Sequence, residues 1–303
     1  MLDGETLARL LPMEVAIDAL EAAFGEPLPQ APARSLLETH AGTLLVMPAH
    51  GRQGIGVKLV TITGANPDRG LPLIHAVYAL FDPETQTPMA FVDGAALTAL
   101  RTAAVSGVAT RHLARSDARR LVLYGAGVQA RSHVAAMRAV RPIDELVVVS
   151  RGRPRADGLI AWATSLGIDA RLGEPGAERE ADLVCTCTTS GTPVVRGALL
   201  PPGVHVNAVG AYTPDTRELD AEAVRRARVV VETREVALAE AGDLLIPMDE
   251  GVIDRHHILA DLSELVGGAH VRTSPEDVTV FESVGTAFED LVVARAAVDR
   301  MAP

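Results

Sequence analysis

Hydrophobic residues in the first third of the chain alternate with polar ones in a way that predicts one helix, a run of strands and a second helix. Apolar side chains recur at helical spacing after Pro12, which predicts a helix over 12–24 that ends before Gly25. Four apolar runs separated by turn residues then predict an antiparallel meander with strands at 43–47, 55–63, 74–81 and 89–92. Asp93 is a suitable N-cap for a long helix over 94–113.

From residue 119 onwards, short buried runs alternate with helical segments instead. This pattern predicts a doubly wound parallel sheet with strands at 120–124, 145–149, 183–186, 205–209 and 228–232. The amphipathic stretch 284–301 predicts a final helix that packs back on the first domain. The fold class is therefore α/β with two domains: an α+β domain of residues 1–113 and 285–303, and a parallel-sheet domain of residues 114–284.

A glycine-rich turn follows the first strand of the parallel sheet. Gly125, Gly127, Val128 and Gln129 lead from that strand into a helix predicted to reach residue 140. A strand, a tight glycine turn and a helix N-terminus together bind a dinucleotide pyrophosphate, and the next strand follows at about 20 residues, as this fingerprint requires. Such turns also occur without a ligand. We nevertheless predict a Rossmann domain with these four residues at the cofactor.

The tip of the second parallel strand predicts which cofactor binds. Ser150, Arg151 and Arg153 stand where an acidic residue usually binds a free ribose 2′-hydroxyl. Because a hydroxyl and guanidinium groups suit a 2′-phosphate, we predict that NADP(H) is preferred and NAD(H) is possible. The alternative is that both arginines are only solvated. Thr188 and Thr189 follow another strand and are predicted to contact the nicotinamide or the substrate, although polar turn chemistry explains them almost as well.

Composition and charge exclude several classes of partner. The formal net charge of −11 argues against nucleic acid. No secretion signal and no apolar stretch long enough to span a bilayer are visible, so we expect a cytoplasmic protein without a membrane partner. Cys185 and Cys187 lie two residues apart in one apolar strand, and we predict no disulfide between them. His256 and His257 have no metal-ligand spacing with either cysteine, so no metal site is predicted.

Two basic residues interrupt apolar segments of the first domain. Lys58 lies on the same strand face as Gly56 and Val60, where an ammonium is costly to bury without a partner. It could snorkel to water, or it could face a substrate carboxylate, carbonyl or imine. Arg101 lies in a helix that is apolar or small nearly all round. A buried guanidinium needs an anion, which could be a substrate carboxylate or an internal salt bridge.

Several segments together resemble the ornithine cyclodeaminase/μ-crystallin family of nicotinamide-dependent proteins. They lie in the family's order at 43–48, 56–60, 80–85, 99–104, 125–130, 209–219, 241–243 and 283–290. The resemblance implies a substrate and dimerisation domain, a homodimer that joins two sheets into a β-barrel, and an active site in the cleft beside the Rossmann domain. By position, Arg34, Lys58 and Arg101 match the family's carboxylate-binding basic residues, and Met47 and Tyr212 are placed at the substrate.

Two departures from the cyclodeaminase narrow the expected reaction. Leu45 and Tyr212 stand where that enzyme has acidic residues for amine handling and water chemistry. A leucine cannot accept a proton, and an un-ionised tyrosine is a poor base at neutral pH. The segment 212–219 resembles the reductase and dehydrogenase branch instead. Asp215 lies three residues beyond the missing acid and could replace it only if the loop rearranges.

We therefore predict an NAD(P)H-dependent oxidoreductase that reduces an α-imino acid or ketimine to an amino acid, or runs as an amino-acid dehydrogenase in reverse. Arg34 and Arg101 would hold the carboxylate, and Lys58 would polarise or protonate the C=N group. The proton donor stays open between Lys58, Tyr212, Asp215 and water. Two alternatives remain: a cyclodeaminase-type lyase that recycles NAD within one turnover, and a non-catalytic NADPH-binding protein of the μ-crystallin type.

Overall fold

The structure is a computed structural model that describes residues 1–301. As far as residue 113 its elements are α1 (Gly4–Leu10), α2 (Met13–Phe24), β1 (Ser35–Thr39), β2 (Gly42–Gly51), β3 (Gly54–Ile62), β4 (Ile74–Phe81), β5 (Pro88–Asp93) and α3 (Gly94–Leu113). Beyond it lie β6 (Arg120–Tyr124), α4 (Val128–Val140), β7 (Glu145–Val149), α5 (Arg153–Ser165), β8 (Asp169–Leu172), β9 (Leu183–Thr186), β10 (His205–Ala208), α6 (Ala221–Arg226), β11 (Arg228–Val231), α7 (Arg234–Glu240), α8 (Gly242–Asp249), β12 (Ile258–Asp261), α9 (Leu262–Val266), β13 (Thr279–Glu282) and α10 (Ala287–Asp299).

The chain forms two compact units. The first comprises Met1–Arg101 together with the segment from Thr286 onwards, and the second comprises Thr102–Gly285. The first domain was predicted to end at residue 113. The observed division lies earlier, between Arg101 and Thr102, inside α3. The physical reason is that the second half of α3 packs within the second unit, where Ser106 bonds His133 and Asn207 bonds Thr110. Ala302 and Pro303, which the predicted first domain included, lie outside the described residues.

The first unit is a five-stranded antiparallel sheet in the order β1-β2-β3-β4-β5. Helix α10 lies against its inner face, and α2 packs on α10, where the rings of Phe24 and Phe288 meet edge to face. The Asp93 carboxylate accepts hydrogen bonds from the N–H groups of Ala95 and Ala96, which confirms the predicted cap of α3. Helix α1 and strand β1 were not predicted from the sequence.

The outer face of this sheet is apolar and open. Strand alternation places there Leu37, Leu44, Val46, Val57, Leu59, Val77, Ala79 and Phe91. All of these side chains are half-buried or exposed, and Phe91 retains 53% of its accessible surface. A contiguous apolar surface of this kind marks an interaction site.

The second unit is an eight-stranded parallel sheet in the order β12-β11-β13-β10-β9-β6-β7-β8. The strand order reverses between β6 and β9, which makes that position the topological switch point of a doubly wound fold. The five predicted strands are all present, while β8, β12 and β13 were missed. None of the helices among residues 1–301 combines the length and the apolar composition needed to cross a membrane.

Candidate active site

Lys58 is buried in the middle of the inner face of the antiparallel sheet. It pairs with Met47 on β2 and with Tyr78 on β4, so the three residues form one row across three strands. Only 1% of the Lys58 surface is accessible, because α10 lies against this face of the sheet. The structure therefore excludes the reading in which the ammonium snorkels to water.

Gly56 makes room for the tyrosine of this row. A Cβ at Gly56 would overlap the phenol oxygen of Tyr78, so the glycine is required by close approach rather than by backbone conformation. The Tyr78 hydroxyl is buried and has no hydrogen-bond partner among the described residues. Burial, with the charge of Asp290, raises the pKa of Tyr78 well above its usual range. The phenol is therefore protonated at neutral pH and keeps an unused donor on the lysine side of the sheet.

Two acidic residues in the first turn of α10 neutralise the two buried cations. Lys58 Nζ lies 2.7 Å from Asp290 Oδ2 and donates to Thr98 Oγ1 at 3.2 Å. Arg101 Nη1 lies 2.8 Å from Glu289 Oε2, and its Nε lies 3.3 Å from Asp290 Oδ1. The Thr286 hydroxyl donates to the other oxygen of Glu289 at 2.9 Å. Two cations and two anions thus form one balanced network, which is what permits their burial.

The environment of Lys58 suits proton transfer. Burial lowers the pKa of Lys58 to about 8, and the charge of Arg101 lowers it as well, whereas Asp290 and Glu289 raise it. A group whose pKa lies near the working pH is protonated often enough to donate and acidic enough to do so readily. Among the residues of this network, Lys58 is therefore the one matched to general acid–base chemistry.

The structure brings Lys58 and Arg101 together, since both contact Asp290. The internal salt bridge considered for Arg101 is also present, through Glu289. Met47 adjoins Lys58 in the row, and Arg34 lies half-buried directly before β1, the neighbour of β2. The acids of α10 were missed as site residues. The signal that could have found them is an adjacent Glu-Asp pair directly before an apolar stretch of the helix, where two carboxylates that become buried require cationic partners.

The glycine turn of the second unit has the geometry needed for a cofactor phosphate. Gly125 has a φ of 108°, and a Cβ there would overlap the carbonyl oxygen of Cys187. Gly127 precedes α4, no side chain caps this helix, and a Cβ on Gly127 would meet no atom within 4 Å. Val128 in the first turn is 72% exposed. The backbone N–H groups of the 13-residue helix α4 are therefore open to an anion, and the residues fit a dinucleotide.

The side chains at the tip of β7 differ in their partners. Ser150 Oγ accepts from the N–H of Gly152 at 3.2 Å, and Arg153 Nε pairs with Asp157 at 2.8 Å. Arg151 is exposed and makes no ion pair within residues 1–301. Of the two arginines at the tip of β7, Arg151 is thus the one without an ion-pair partner among the described residues.

Thr188 and Thr189 follow β9, next to the switch point. The Thr188 N–H and hydroxyl both donate to Glu218, at 2.8 and 2.6 Å, so part of its polarity is used inside the protein. Tyr212 lies in the loop after β10 and is 43% exposed. Asp215 in the same loop accepts from the Thr213 hydroxyl at 2.7 Å.

Comparison with known proteins decides the family. The model of the ornithine cyclodeaminase/mu-crystallin family matches residues 2–303. The chain belongs to this family. Family member Delta(1)-pyrroline-2-carboxylate reductase of Bacillus cereus is 38% identical over 270 residues, covering 85% of this chain and 81% of that protein. The resemblance inferred from the sequence segments is confirmed.

Solved structures of family members share the whole fold. Delta(1)-pyrroline-2-carboxylate reductase of Thermococcus litoralis, in complex with NADH and L-proline, has a TM-score of 0.93 and 38% identity, covering 99% of this chain and 96% of that one. An archaeal alanine dehydrogenase dimer with bound NAD has a TM-score of 0.92 and 34% identity, covering 99% and 94%. The predicted fold class, a Rossmann sheet with an α+β domain, is confirmed.

Proposed function

We propose that this protein reduces the C=N bond of an α-imino acid to an amino acid with a nicotinamide cofactor, and catalyses the reverse oxidation. The observation that carries the proposal is the buried Lys58 ammonium, held by Asp290 and Thr98 on the sheet face it shares with Tyr78. Relatives named for pyrroline-2-carboxylate reduction and for alanine dehydrogenation support it, since both reactions interconvert a C=N and a CH–NH group.

The basic residues of the first unit have separate tasks in this proposal. Arg101, oriented by Glu289, binds the substrate carboxylate with its planar fork, and Arg34 assists. Lys58 donates a proton to the imine nitrogen, and Asp290 keeps the ammonium in place before the transfer. A bound nicotinamide would supply the hydride for the imine carbon. One hydride and one proton convert C=N into CH–NH, so no further reactant is needed.

The cyclodeaminase reaction is the weaker candidate. Leu45 is buried on the inner face of β2 and pairs with Val60, and it cannot serve as an acid or base. Tyr212 carries a phenol where the cyclodeaminase has a carboxylate. Both acids of the deamination chemistry are therefore replaced, whereas the basic set needed for imine reduction is intact.

For the cofactor, we place the pyrophosphate at the glycine turn and the N-terminus of α4. The solved relatives hold NADH or NAD. In this chain Arg151 is exposed at the tip of β7, where the adenosine ribose of a Rossmann cofactor binds. We propose that it pairs with a 2′-phosphate, so that NADPH is preferred over NADH.

The apolar outer face of the antiparallel sheet supports a homodimer. Its exposed Leu37, Leu59 and Phe91 lie on three different strands, and an apolar surface of this extent is unfavourable in water. The archaeal alanine dehydrogenase with a TM-score of 0.92 is a dimer. We propose that two copies of this chain cover these faces against each other.

The deciding experiment follows the absorbance of NADPH and of NADH, separately, with cyclic imino acids and with α-keto acids mixed with ammonia or methylamine. The proposal predicts oxidation of the cofactor with at least one imine, faster with NADPH. Ammonia release from ornithine without net cofactor oxidation would indicate the lyase instead. Cofactor binding without turnover on either panel would indicate a binding protein.

A further inference from the structure

One buried carboxylate joins two loops at the carboxyl edge of the parallel sheet. Glu218 has no accessible surface. Its Oε1 accepts from the N–H and the hydroxyl of Thr188, which follows β9, at 2.8 and 2.6 Å. Its Oε2 accepts from the N–H of Gly210, which follows β10, at 2.7 Å. The two loops are thus held to one another through a single side chain.

Gly210 is required because the loops approach so closely. A Cβ at this position would overlap both Glu218 Oε2 and the carbonyl oxygen of Thr188. The spacing between the two loops therefore depends on the Glu218 carboxylate and on the absence of a side chain at residue 210.

A second carboxyl group holds Glu218 itself. Asp243 Oδ1 accepts from the backbone N–H groups of Glu218 and Leu219, at 2.8 and 2.6 Å. The preceding Gly242 packs against the loop before Glu218, where a Cβ would overlap the carbonyl oxygen of Thr216. The start of α8 thus anchors the whole segment from Thr213 to Leu219.

Burial favours the neutral form of the carboxyl groups around Glu218. Burial raises the pKa of Asp243 to about 8 and that of Glu282, at the end of β13, well above its usual range, and neighbouring carboxyls add to both shifts. Both Glu282 oxygens lack a hydrogen-bond partner among the described residues. A proton on such a group removes its charge repulsion with Glu218.

We propose that Glu218 is a positioning residue for hydride transfer: it sets the spacing of the loops after β9 and β10, between which the nicotinamide end of the cofactor is oriented. The loop after β9 begins beside the glycine turn, since the Cys187 N–H donates to the Tyr124 carbonyl at 2.7 Å. Ligands of doubly wound sheets bind at this edge, next to the switch point. The expected effect of Glu218 on kcat rests on the proposed function.

The test compares two carboxylates at opposite edges of the same sheet. Glu218→Gln keeps the size of the side chain but replaces one acceptor oxygen by an NH₂ group, so one loop loses its hydrogen bond. Asp182→Asn is the matched control, because Asp182 Oδ2 likewise accepts two backbone N–H bonds, from Arg119 and Arg120, but before β9 at the amino edge. Turnover, the dissociation constant of NADH, thermal stability and hydrogen exchange are measured for both.

Glu218→Gln is expected to lower kcat about 10- to 100-fold, the cost of misplacing a reacting group by roughly an ångström, with little change in NADH affinity. Hydrogen exchange should become faster in the peptides that contain Thr188 and Gly210. Asp182→Asn should keep kcat near that of the wild type and accelerate exchange only around Arg119. A kcat of Glu218→Gln close to wild type, or equal losses in both variants, would overturn the proposal.

Gly210→Ala provides a second route if Glu218→Gln does not fold, because the added methyl group pushes the same loops apart. It should lower kcat in the same way, and unchanged turnover would again count against the proposal. The exchange measurement separates this inference from the proposed function. If the wild type oxidised no cofactor with any imine, the function would fail. Unchanged exchange at Thr188 and Gly210 in Glu218→Gln would show that Glu218 does not hold the loops.

Discussion

The two sheets of this protein differ in how far other elements cover their apolar residues. The parallel sheet of the second unit is covered on both faces, and β6, β7 and β9 are buried over nearly their whole length. The antiparallel sheet of the first unit is covered by α10 on one face only, and its outer face exposes Leu59 and Phe91. A sheet that is apolar on both faces but covered on one leaves apolar surface in contact with water.

The two sheets also place their polar residues differently. In the parallel sheet, polar groups such as Thr188 and Glu218 follow the carboxyl ends of strands, where all strands finish at one edge. An antiparallel sheet has no such common edge. There the proposed catalytic residue, Lys58, lies in the middle of β3 and is paired with an acid from a helix more than 200 residues later in the chain. The site around Lys58, on the antiparallel sheet, is held by charge balance across the covered face. The site around Glu218, at the edge of the parallel sheet, is held by hydrogen bonds between loops.

The strongest test of the site around Lys58 removes its central cation. Lys58→Ala is expected to lower kcat at least ~100-fold, because the general acid is lost. It also deprives the buried Asp290 of the nearer of its two cationic partners, which costs up to about 3–5 kcal/mol of stability. Steady-state kinetics and thermal unfolding measure the two effects.

The double variant Lys58→Met with Asp290→Asn separates catalysis from folding. It restores neutrality at similar volume, so stability should recover while turnover does not. Recovery of turnover in the double variant would show that Lys58 is not the proton donor. A loss confined to KM in Lys58→Ala would assign it to substrate binding alone.

The open face of the antiparallel sheet is tested by placing a charge at its centre. Leu59→Glu should convert the dimer to monomer, because a carboxylate in an apolar interface cannot be solvated. Sedimentation velocity measures the oligomeric state. The matched control is Leu259→Glu on β12 of the other sheet, which is similarly exposed (44% against 38%) and should leave the dimer intact. A wild-type monomer, or a dimer that survives Leu59→Glu, would contradict the proposed interface.

The edge of the parallel sheet is tested through cofactor preference. Arg151→Asp should weaken NADPH binding relative to NADH roughly 10-fold or more, because a charged hydrogen bond to the 2′-phosphate is lost. Dissociation constants for both cofactors give the ratio directly. Arg138→Asp, the same charge change in the last turn of α4, should leave the ratio unaltered. An unchanged ratio in Arg151→Asp would mean that this arginine is only solvated.

The smallest expected effect concerns the charge balance around Lys58. As the donor must be protonated, kcat/KM in the reductive direction should fall as the pH rises through about 8, the pKa to which burial lowers Lys58. Asp290→Asn removes an anion that raises this pKa, so the fall should move to lower pH by about one unit. Glu289→Gln, whose charge acts more weakly on Lys58, should move it less. A pH profile that both variants leave in place would assign the transition to another group.

Local patterns were sufficient for many elements of both units. The alternation around Lys58 and the cap at Asp93 determined strand β3 and helix α3, because these signals lie within one element. Strands β8, β12 and β13 were missed, and each is only four residues long. Strands β9, β10 and β11 have the same length and were predicted, so length is not the cause; pairing with partners far along the chain stabilises all six strands.

The sequence predicted the cations of the candidate site but not its anions. Lys58 and Arg101 are conspicuous because a positive charge in an apolar segment demands an explanation. Glu289 and Asp290 lie in the first turn of a helix, where acidic residues are common, so the pair indicates that cationic partners exist but not which ones. Nothing along the chain indicates that these acids meet β3 and α3.

The sequence by itself determined the alternation of strands and helices, the glycine turn, the two buried cations and the family to which the chain belongs. These features depend on residue types at short spacing and on local motifs, which can be recognised without knowledge of the tertiary structure. Only the tertiary structure decided which carboxylates balance Lys58 and Arg101, which strand face stays open, and that Glu218 joins two loops. These are contacts between residues far apart in the chain, and burial gives them their energy by removing the water that would otherwise solvate each group alone.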